Sequence, residues 1–325
     1  MMKDLIIEKK NIVIVSHKNP DGDAIGSSLA LLHYLNKIGI EAKVVLPDEF
    51  PEFYNWMYGS DAIVIAEKSW KVASDLIDNA DLIFCLDFND LHRVGNLQEK
   101  IRESDAVKIM IDHHQHPKDF ADHMISRVDS CSTAQLIYEF IESNNDRDLI
   151  DATIAEGIYT GIITDSGSFK YSNVESKTHL IAAHLIEVGL DHTKIHENIY
   201  DQNYLSRLHL MGYALNKIEL VKNIPVAFIA LSIKELNKFN FSKGATEGLV
   251  NYCLSIKGVQ IAAFIREDHG IVKMSFRSKG DVKVNEFASK YFEGGGHINA
   301  AGGKSTLPFN DVVEKFKKNI IEYLA

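Results

Sequence analysis

The chain has 325 residues, a length that fits two domains better than one ordinary core. With 46% hydrophobic and 25% charged residues, its composition excludes disordered, collagenous and low-complexity proteins. The formal net charge of −10 argues against a protein that grips long nucleic acid, because many phosphate contacts need a basic surface.

The sequence predicts a soluble, cytoplasmic protein. The longest stretch without charged residues is Ala24–Asn36, which is shorter than the roughly 20 apolar residues of a membrane span. Met1–Asp4 lead into mixed acidic and basic residues rather than the apolar core of a signal peptide. The three cysteines lie far apart in the sequence and form no CxxC pattern. This favours buried thiols in a reducing compartment over disulfides or a zinc ribbon.

Charge divides unevenly along the chain. Residues 221–325 hold 15 of the 35 Lys/Arg and 10 of the 45 Asp/Glu, a balance of +5, which leaves −15 for residues 1–220. Such asymmetry indicates two parts with different tasks. We predict a catalytic domain over residues 1–203, a connecting helix over 204–220 and a second domain over 221–325.

In the first part, short apolar runs rich in β-branched residues alternate with helical periodicity. The predicted strands are Ile12–Ser16, Ala42–Leu46, Leu82–Leu86 and Val107–Ile111. Between the first two strands, Ala24–Lys37 carries an apolar stripe at helical spacing and ends before Gly39. This alternation predicts βαβ units, hence an α/β domain with a parallel sheet and flanking helices.

Helices are predicted to dominate residues 132–217, and Ser130–Thr133 to cap the helix Ala134–Ile141, with substrate contact there left open. The second part begins with a strand, Val226–Leu231. A hairpin candidate follows, with Val259–Glu267 and Ile271–Phe276 as its strands. Helices at Lys283–Phe292 and Asn310–Leu324 complete a smaller predicted α/β domain.

Acidic and imidazole side chains follow three of the predicted strands. His17 and the segment 19–23 follow the first, Asp87 the third, and Asp112-His113-His114 the fourth. Ligands of open α/β sheets bind outside the carboxyl ends of the strands, so we expect these side chains at one rim. Asp165 is a further candidate, on a helix that Gly157 and Gly161 allow to approach closely.

Gathering these acids creates a charge problem. Four carboxylates close together repel one another at a cost of several kcal/mol at low dielectric, and two divalent cations would cancel the charge. The carboxylates concerned are Asp21, Asp23, Asp87 and Asp165. A set of ligands made of histidine and carboxylate, without thiolate, suits Mn²⁺ or Mg²⁺ better than structural zinc. Co²⁺ is also open. Two such metals promote in-line attack on phosphorus.

Five blocks of the sequence resemble the DHH phosphoesterase superfamily in the order typical of that family. These are His17-Lys-Asn-Pro-Asp21-Gly-Asp23, Leu-Asp87, Asp112-His113-His114, Thr-Asp165-Ser-Gly-Ser-Phe and, similar to the DHHA1 domain, Gly294-Gly-Gly-His297 preceded by Arg277-Ser278. The resemblance covers nearly the whole chain. Within the superfamily it is greatest to the bacterial bifunctional oligoribonuclease and PAP phosphatase group, where PAP is 3′-phosphoadenosine 5′-phosphate.

The resemblance implies a role for each matching position. One metal would be held by His17, Asp21 and Asp87, and the other by Asp23, Asp87, His113 and Asp165, with Asp87 bridging and a hydroxide between the metals as nucleophile. His114 would face the substrate phosphate and stabilise charge or transfer a proton. Asp112 would orient an imidazole.

Substrate binding is predicted for the second domain. Gly294, Gly295 and Gly296 can present backbone N–H groups to an anion. Arg277 can hold a terminal phosphate with two hydrogen bonds, next to Ser278 and His297. Arg93, close after Asp87, is a further candidate, with a solvated surface role as the alternative.

We expect an active-site cleft between the two domains. The resemblance implies two activities: hydrolysis of short RNA, from dinucleotides to pentamers, and dephosphorylation of PAP. Alternatives remain: a cyclic-di-AMP or pApA phosphodiesterase, an inorganic pyrophosphatase or exopolyphosphatase, a RecJ-type exonuclease, and a nucleotide sensor without catalysis. The complete set of ligands argues against the sensor. A homodimer is left open.

Overall fold

The computed structural model describes residues 2–241 and 244–324, apart from the side chain of Met2. Within these residues the chain forms two compact units, which meet in sequence at Gln202 and Asn203. Each unit contains a sheet with helices against both faces, so the predicted α/β class is confirmed. None of the helices in the described ranges is long and apolar enough to cross a bilayer.

The sheet of the first unit is parallel, with strand order β3-β2-β1-β4-β5-β6. Its strands are β1 Ile12–Val15, β2 Ala42–Leu46, β3 Val64–Ile65, β4 Leu82–Leu86, β5 Val107–Asp112 and β6 His123–Ser126. The four predicted strands are therefore confirmed to within a residue. The two strands that the sequence did not predict lie at the sheet edges: β3 is only two residues long, and β6 is short and half polar.

Helices cover both faces of this sheet because successive strand residues point to opposite sides. The helices are α1 Met2–Ile7, α2 Gly22–Lys37, α3 Trp70–Asp78, α4 Gln98–Glu103, α5 Thr133–Ser143, α6 Ala152–Asp165, α7 Ser176–Glu187 and α8 His192–Tyr200. Ile14 and Phe84 belong to the core shared with α2, α5 and α6. Val13 and Cys85 belong to the core on the opposite face, with α3 and α4.

The second unit has a mixed sheet in the order β11-β12-β10-β9-β8-β7. Its strands are β7 Glu219–Leu220, β8 Val226–Leu231, β9 Ile261–Asp268, β10 Ile271–Ser278, β11 Glu293–His297 and β12 Ala300–Ser305. Its helices are α9 Leu205–Asn216, α10 Ile233–Asn237, α11 Leu249–Ser255, α12 Val284–Tyr291 and α13 Phe309–Leu324. The predicted hairpin is confirmed as β9 and β10.

Two details of the fold bear on the sequence predictions. Helix α9, assigned to a connection, packs within the second unit through Leu210 and Ala214. The cysteines Cys85, Cys131 and Cys253 are free and buried, as predicted from their number and spacing.

Candidate metal centre

Three neighbouring strands deliver the central side chains. His17 and Asp87 follow β1 and β4, and Asp112 ends β5, so all lie at the carboxyl edge of adjacent parallel strands. The backbone of Asp87 has a left-handed φ of 64°, which costs a non-glycine residue about 1–3 kcal/mol. Its N–H donates to the carbonyl of Ile111 at 3.0 Å, so this sharp turn is anchored to β5.

Two helices add the remaining carboxylates. Asp21 caps α2 by accepting from the N–H groups of Asp23 and Ala24 at 3.1 Å, and Asp23 lies in the first turn. Asp165 is the last residue of α6. The two helices cross closely: a Cβ on Gly26 would lie 2.4 Å from the Gly157 carbonyl oxygen. The close approach that the glycines predicted is confirmed, and it brings the start of α2 towards α6.

A first group of side chains surrounds one oxygen of Asp87. Nε2 of His17 lies 3.2 Å from Asp87 Oδ2 and 3.9 Å from Asp21 Oδ1. The ligand atoms of these three residues all lie within 4.8 Å of one another, a spacing that one metal ion can span.

A second group surrounds the other oxygen of Asp87. Nε2 of His113 lies 3.3 Å from Asp165 Oδ2, 3.8 Å from Asp23 Oδ2 and 3.5 Å from Asp87 Oδ1. Asp23, His113 and Asp165 form a compact set of potential ligands. The carboxylate of Asp87 therefore has one oxygen near His17 and the other near His113.

The two imidazoles are held by their other nitrogens. Nδ1 of His17 lies 2.8 Å from the Lys18 carbonyl oxygen, and Nδ1 of His113 lies 3.2 Å from that of Ser130. A carbonyl only accepts, so Nδ1 donates and Nε2 of the neutral ring turns a lone pair towards carboxylate oxygens. A lone pair that faces a negatively charged oxygen is unfavourable unless a proton or a cation lies between the two atoms. Accordingly, although burial opposes it, the neighbouring carboxylates raise the pKa of His17 and His113.

The carboxylates show the same need for positive charge. Burial, followed by repulsion from Asp87, Asp165 and Asp21, raises the pKa of Asp23 well above its ordinary value. Burial also acts to raise the pKa of Asp87, but the hydrogen bond that His17 donates when its Nε2 is protonated, and positive charge on the neighbouring imidazoles, lower it. Ordered side chains with unbalanced negative charge and inward-facing Nε2 atoms fit divalent cations well.

His114 and Arg93 lie beside this centre. Nδ1 of His114 lies 2.8 Å from Asp112 Oδ1, and Asp112 Oδ2 accepts from the backbone N–H of His114. The carbonyl of Arg93 accepts from the N–H of Lys18 at 2.8 Å. Burial and, less strongly, the Arg93 guanidinium oppose protonation of both His17 and His114; they lower the pKa of His114, whereas the carboxylates around His17 keep its pKa raised. The positive charge of Arg93 therefore acts on two histidines of the centre.

In the second unit, Arg277 and His297 occupy one row across three strands. Arg277 on β10 and His297 on β11 both pair with Ala300 on β12. Directly opposite residues of antiparallel strands point to the same face, so the small Ala300 separates the two side chains by two strand spacings, about 10 Å. The next row on this face is Ser275, Gly302 and Gly295. The opposite face carries Phe276 and the aromatic core.

Two of the predicted binding elements are also part of the sheet of the second unit. Gly294, Gly295 and Gly296 form part of strand β11 rather than a loop, and they pair with β12. Glycine has low strand propensity, but close packing requires it here: a Cβ on Gly294 would lie 2.2 Å from the Gly302 oxygen. Ser278 is the buried last residue of β10; its hydroxyl donates to the Val282 carbonyl and accepts from the Asn299 amide, so it ties the end of the strand to the turn that follows.

The sequence analysis missed one supporting element. The sequence predicts Ser130–Thr133 as a helix cap with substrate contact left open, and Ser132 does cap α5 by accepting from the N–H of Gln135. The same segment also contacts His113, Asp23 and Asp87. Its run of hydroxyl side chains before a helix was the available signal.

Comparison with known proteins agrees with the two-unit architecture. The DHH family, N-terminal domain, matches residues 11–162, and the DHHA1 domain matches residues 223–325. The bifunctional oligoribonuclease and PAP phosphatase NrnA of Bacillus subtilis is 26% identical, covering 90% of this chain and 88% of that protein. The cyclic-di-AMP phosphodiesterase GdpP of the same organism is 26% identical over 99% of this chain but only 49% of its own length. The crystal structure of an exopolyphosphatase-related protein from Bacteroides fragilis is 39% identical, with a TM-score of 0.96, over 99% of this chain and 95% of that one.

Proposed function

Because the chain belongs to the DHH family and carries a DHHA1 domain, we propose that it hydrolyses short oligoribonucleotides, from dinucleotides to pentamers, and dephosphorylates PAP. Members of the family are divalent-metal-dependent phosphoesterases. The names of relatives along the whole chain, such as NrnA, support this choice of substrates.

The observation that carries the proposal is the placement of Asp87. Its two oxygens face two groups of carboxylates and imidazoles, in which several negative charges are crowded together. We propose that His17, Asp21 and Asp87 hold one ion, and that Asp23, Asp87, His113 and Asp165 hold the other. Mn²⁺ is our first choice, with Mg²⁺ and Co²⁺ as alternatives, because all three accept imidazole and carboxylate ligands. When bound, such ions activate water for attack on phosphorus and stabilise charge on the phosphoryl oxygens.

The neighbouring residues suit work on the phosphate itself. Asp112 holds Nδ1 of His114, and we propose that Nε2 of this ring contacts a phosphoryl oxygen or transfers a proton. Burial lowers the pKa of His114, which favours the neutral ring at neutral pH. Arg93 would contribute positive charge to the same phosphate.

The second unit supports recognition of a short substrate. The row of Arg277 and His297, with only Ala300 between them, offers cationic and hydrogen-bonding side chains over a surface of small residues. We propose that Arg277 binds a terminal phosphate, His297 and the glycines of β11 line the same surface, and Ser278 fixes the turn that follows Arg277. One arginine and one imidazole match one or two phosphates, which favours short RNA and PAP over long chains.

A cleavage panel tests the proposal. The protein with Mn²⁺ is offered 5′-phosphorylated RNA of two, five and twenty-four nucleotides, PAP, cyclic-di-AMP, pyrophosphate and polyphosphate. Rapid loss of the short RNA and PAP, with the longest RNA and the inorganic substrates spared, is the expected result. Preferential cleavage of cyclic-di-AMP, or of the inorganic substrates, would retain phosphoester or phosphoanhydride chemistry but refute the substrate assignment. No Mn²⁺-dependent cleavage at all would refute the function.

A further inference from the structure

The segment between β6 and α5 contacts three of the proposed metal ligands at once. The backbone carbonyl of Ser130 holds Nδ1 of His113 at 3.2 Å. The N–H groups of Thr133 and Ala134 donate to the two oxygens of Asp23, at 2.7 and 2.9 Å. The hydroxyl of Thr133 donates to Asp87 Oδ1 at 2.9 Å. One short segment thus meets ligands from α2, β4 and β5.

Thr133 is the residue in this segment that meets two carboxylates. Its N–H holds Asp23 and its side chain holds Asp87, across 110 and 46 residues of sequence. The side chain is fully buried, so water does not compete for either hydrogen bond. The two N–H groups belong to the first turn of α5, where unpaired donors and the helix dipole favour negative charge.

We propose that Thr133 is a positioning residue that sets the separation of Asp23 and Asp87 and thereby tunes metal binding; this inference rests on the metal centre of the proposed function. A carboxylate oxygen that accepts one hydrogen bond retains a second lone pair for a cation. The Thr133 hydroxyl therefore orients Asp87 Oδ1 without consuming its capacity as a ligand. Partners that orient metal ligands typically change metal affinity or activity by about 10–100-fold when they are removed.

The chain offers matched variants for the test. Thr133→Val keeps the shape and both backbone donors but removes the hydroxyl, whereas Thr133→Ser keeps the hydroxyl. Thr160 is also fully buried, but its hydroxyl meets no hydrogen-bond partner in the part of the chain that the structure describes. Thr160→Val therefore controls for burying a valine in the same unit.

The measurement is titration calorimetry of the full-length, metal-stripped protein with Mn²⁺ alone, together with thermal unfolding in the presence of a chelator. We expect Thr133→Val to weaken Mn²⁺ binding by at least about tenfold, with Thr133→Ser within about threefold of the wild type and Thr160→Val unchanged. If Thr133→Val does not fold, Thr133→Ala serves as the second removal of the hydroxyl.

The outcomes separate this inference from the proposed substrates. Wild-type Mn²⁺ affinity in Thr133→Val, or equal losses in the valine and serine variants, would overturn the positioning role. A lower melting temperature without a change in Mn²⁺ affinity would show a structural role only and would overturn it as well. Selective loss of Mn²⁺ affinity in Thr133→Val supports the inference even if the cleavage panel rejects RNA and PAP. Wild-type protein that binds no Mn²⁺ would refute both.

Discussion

The crossing of α2 and α6 provides the sharpest test of how packing sets up the centre. In Gly26→Ala the new Cβ would lie 2.4 Å from the Gly157 oxygen and 2.9 Å from the Gly161 nitrogen. Because ordinary contacts begin near 3.4 Å, the helices must separate by about 1 Å. Both contacts are with backbone, so no side-chain rotation relieves them.

Two opposing effects decide the magnitude. Replacing glycine by alanine inside a helix stabilises it by about 1 kcal/mol, whereas forcing an extra methyl group into a packed interface costs about 1–3 kcal/mol. We expect a net loss of up to about 2 kcal/mol in the free energy of unfolding. Because Asp23 and Asp165 lie on these two helices, a shift of about 1 Å should also lower turnover by about 10–100-fold.

Urea denaturation followed by circular dichroism measures the stability, and cleavage of a 5′-phosphorylated dinucleotide measures the turnover. Gly212→Ala is the matched control: Gly212 is inside α9, and a Cβ there meets nothing within 4 Å. This control should gain about 0.5–1 kcal/mol. A Gly26→Ala variant as stable and active as Gly212→Ala would refute the argument that close helix packing places the carboxylates.

Three further predictions concern the two units. Asp87→Asn, which keeps a residue type tolerant of left-handed φ, should reduce Mn²⁺ stoichiometry from two towards one and turnover by at least about a hundredfold; calorimetry showing two intact sites would contradict the bridging role. Arg277→Ala should raise the KM for a 5′-phosphorylated dinucleotide by about 10–100-fold but change hydrolysis of an aryl phosphodiester less than threefold, and equal losses would assign Arg277 a structural role. Burial acts to raise the pKa of Glu235, yet hydrogen bonds from Lys217, Tyr213 and Ser232 lower it to about 2. Since this is below the unfolded value near 4.3, the ionised carboxylate stabilises the fold; the difference in pKa corresponds to about 3 kcal/mol, which solvent screening reduces to about 1–2 kcal/mol. This stabilisation is present above about pH 4.5 and disappears as the pH falls towards 2. Urea denaturation of wild type and Glu235→Gln should therefore differ at pH 7 and converge near pH 2, and a constant difference would contradict the pKa assignment.

The sequence predicted the centre of each sheet better than its edges. Buried strands such as Leu82–Leu86 are continuous apolar runs because both of their faces are covered, so their pattern is local and strong. Strand β11 has the opposite character. Its glycines oppose strand formation locally, and only the tight pairing with β12 makes Gly294 and Gly296 necessary. No local pattern could have revealed that pairing.

The candidate metal centre was likewise predictable from the sequence only in part. The sequence by itself determined which chemical groups lie at the rim, because parallel strands must end at one edge and His17, Asp87 and Asp112 come at or directly after those ends. It could not determine which nitrogen of each imidazole faces inward, or that Thr133 joins Asp23 to Asp87. Those features depend on hydrogen bonds between residues distant in sequence, and their geometry exists only once α2, α5 and α6 pack against the sheet.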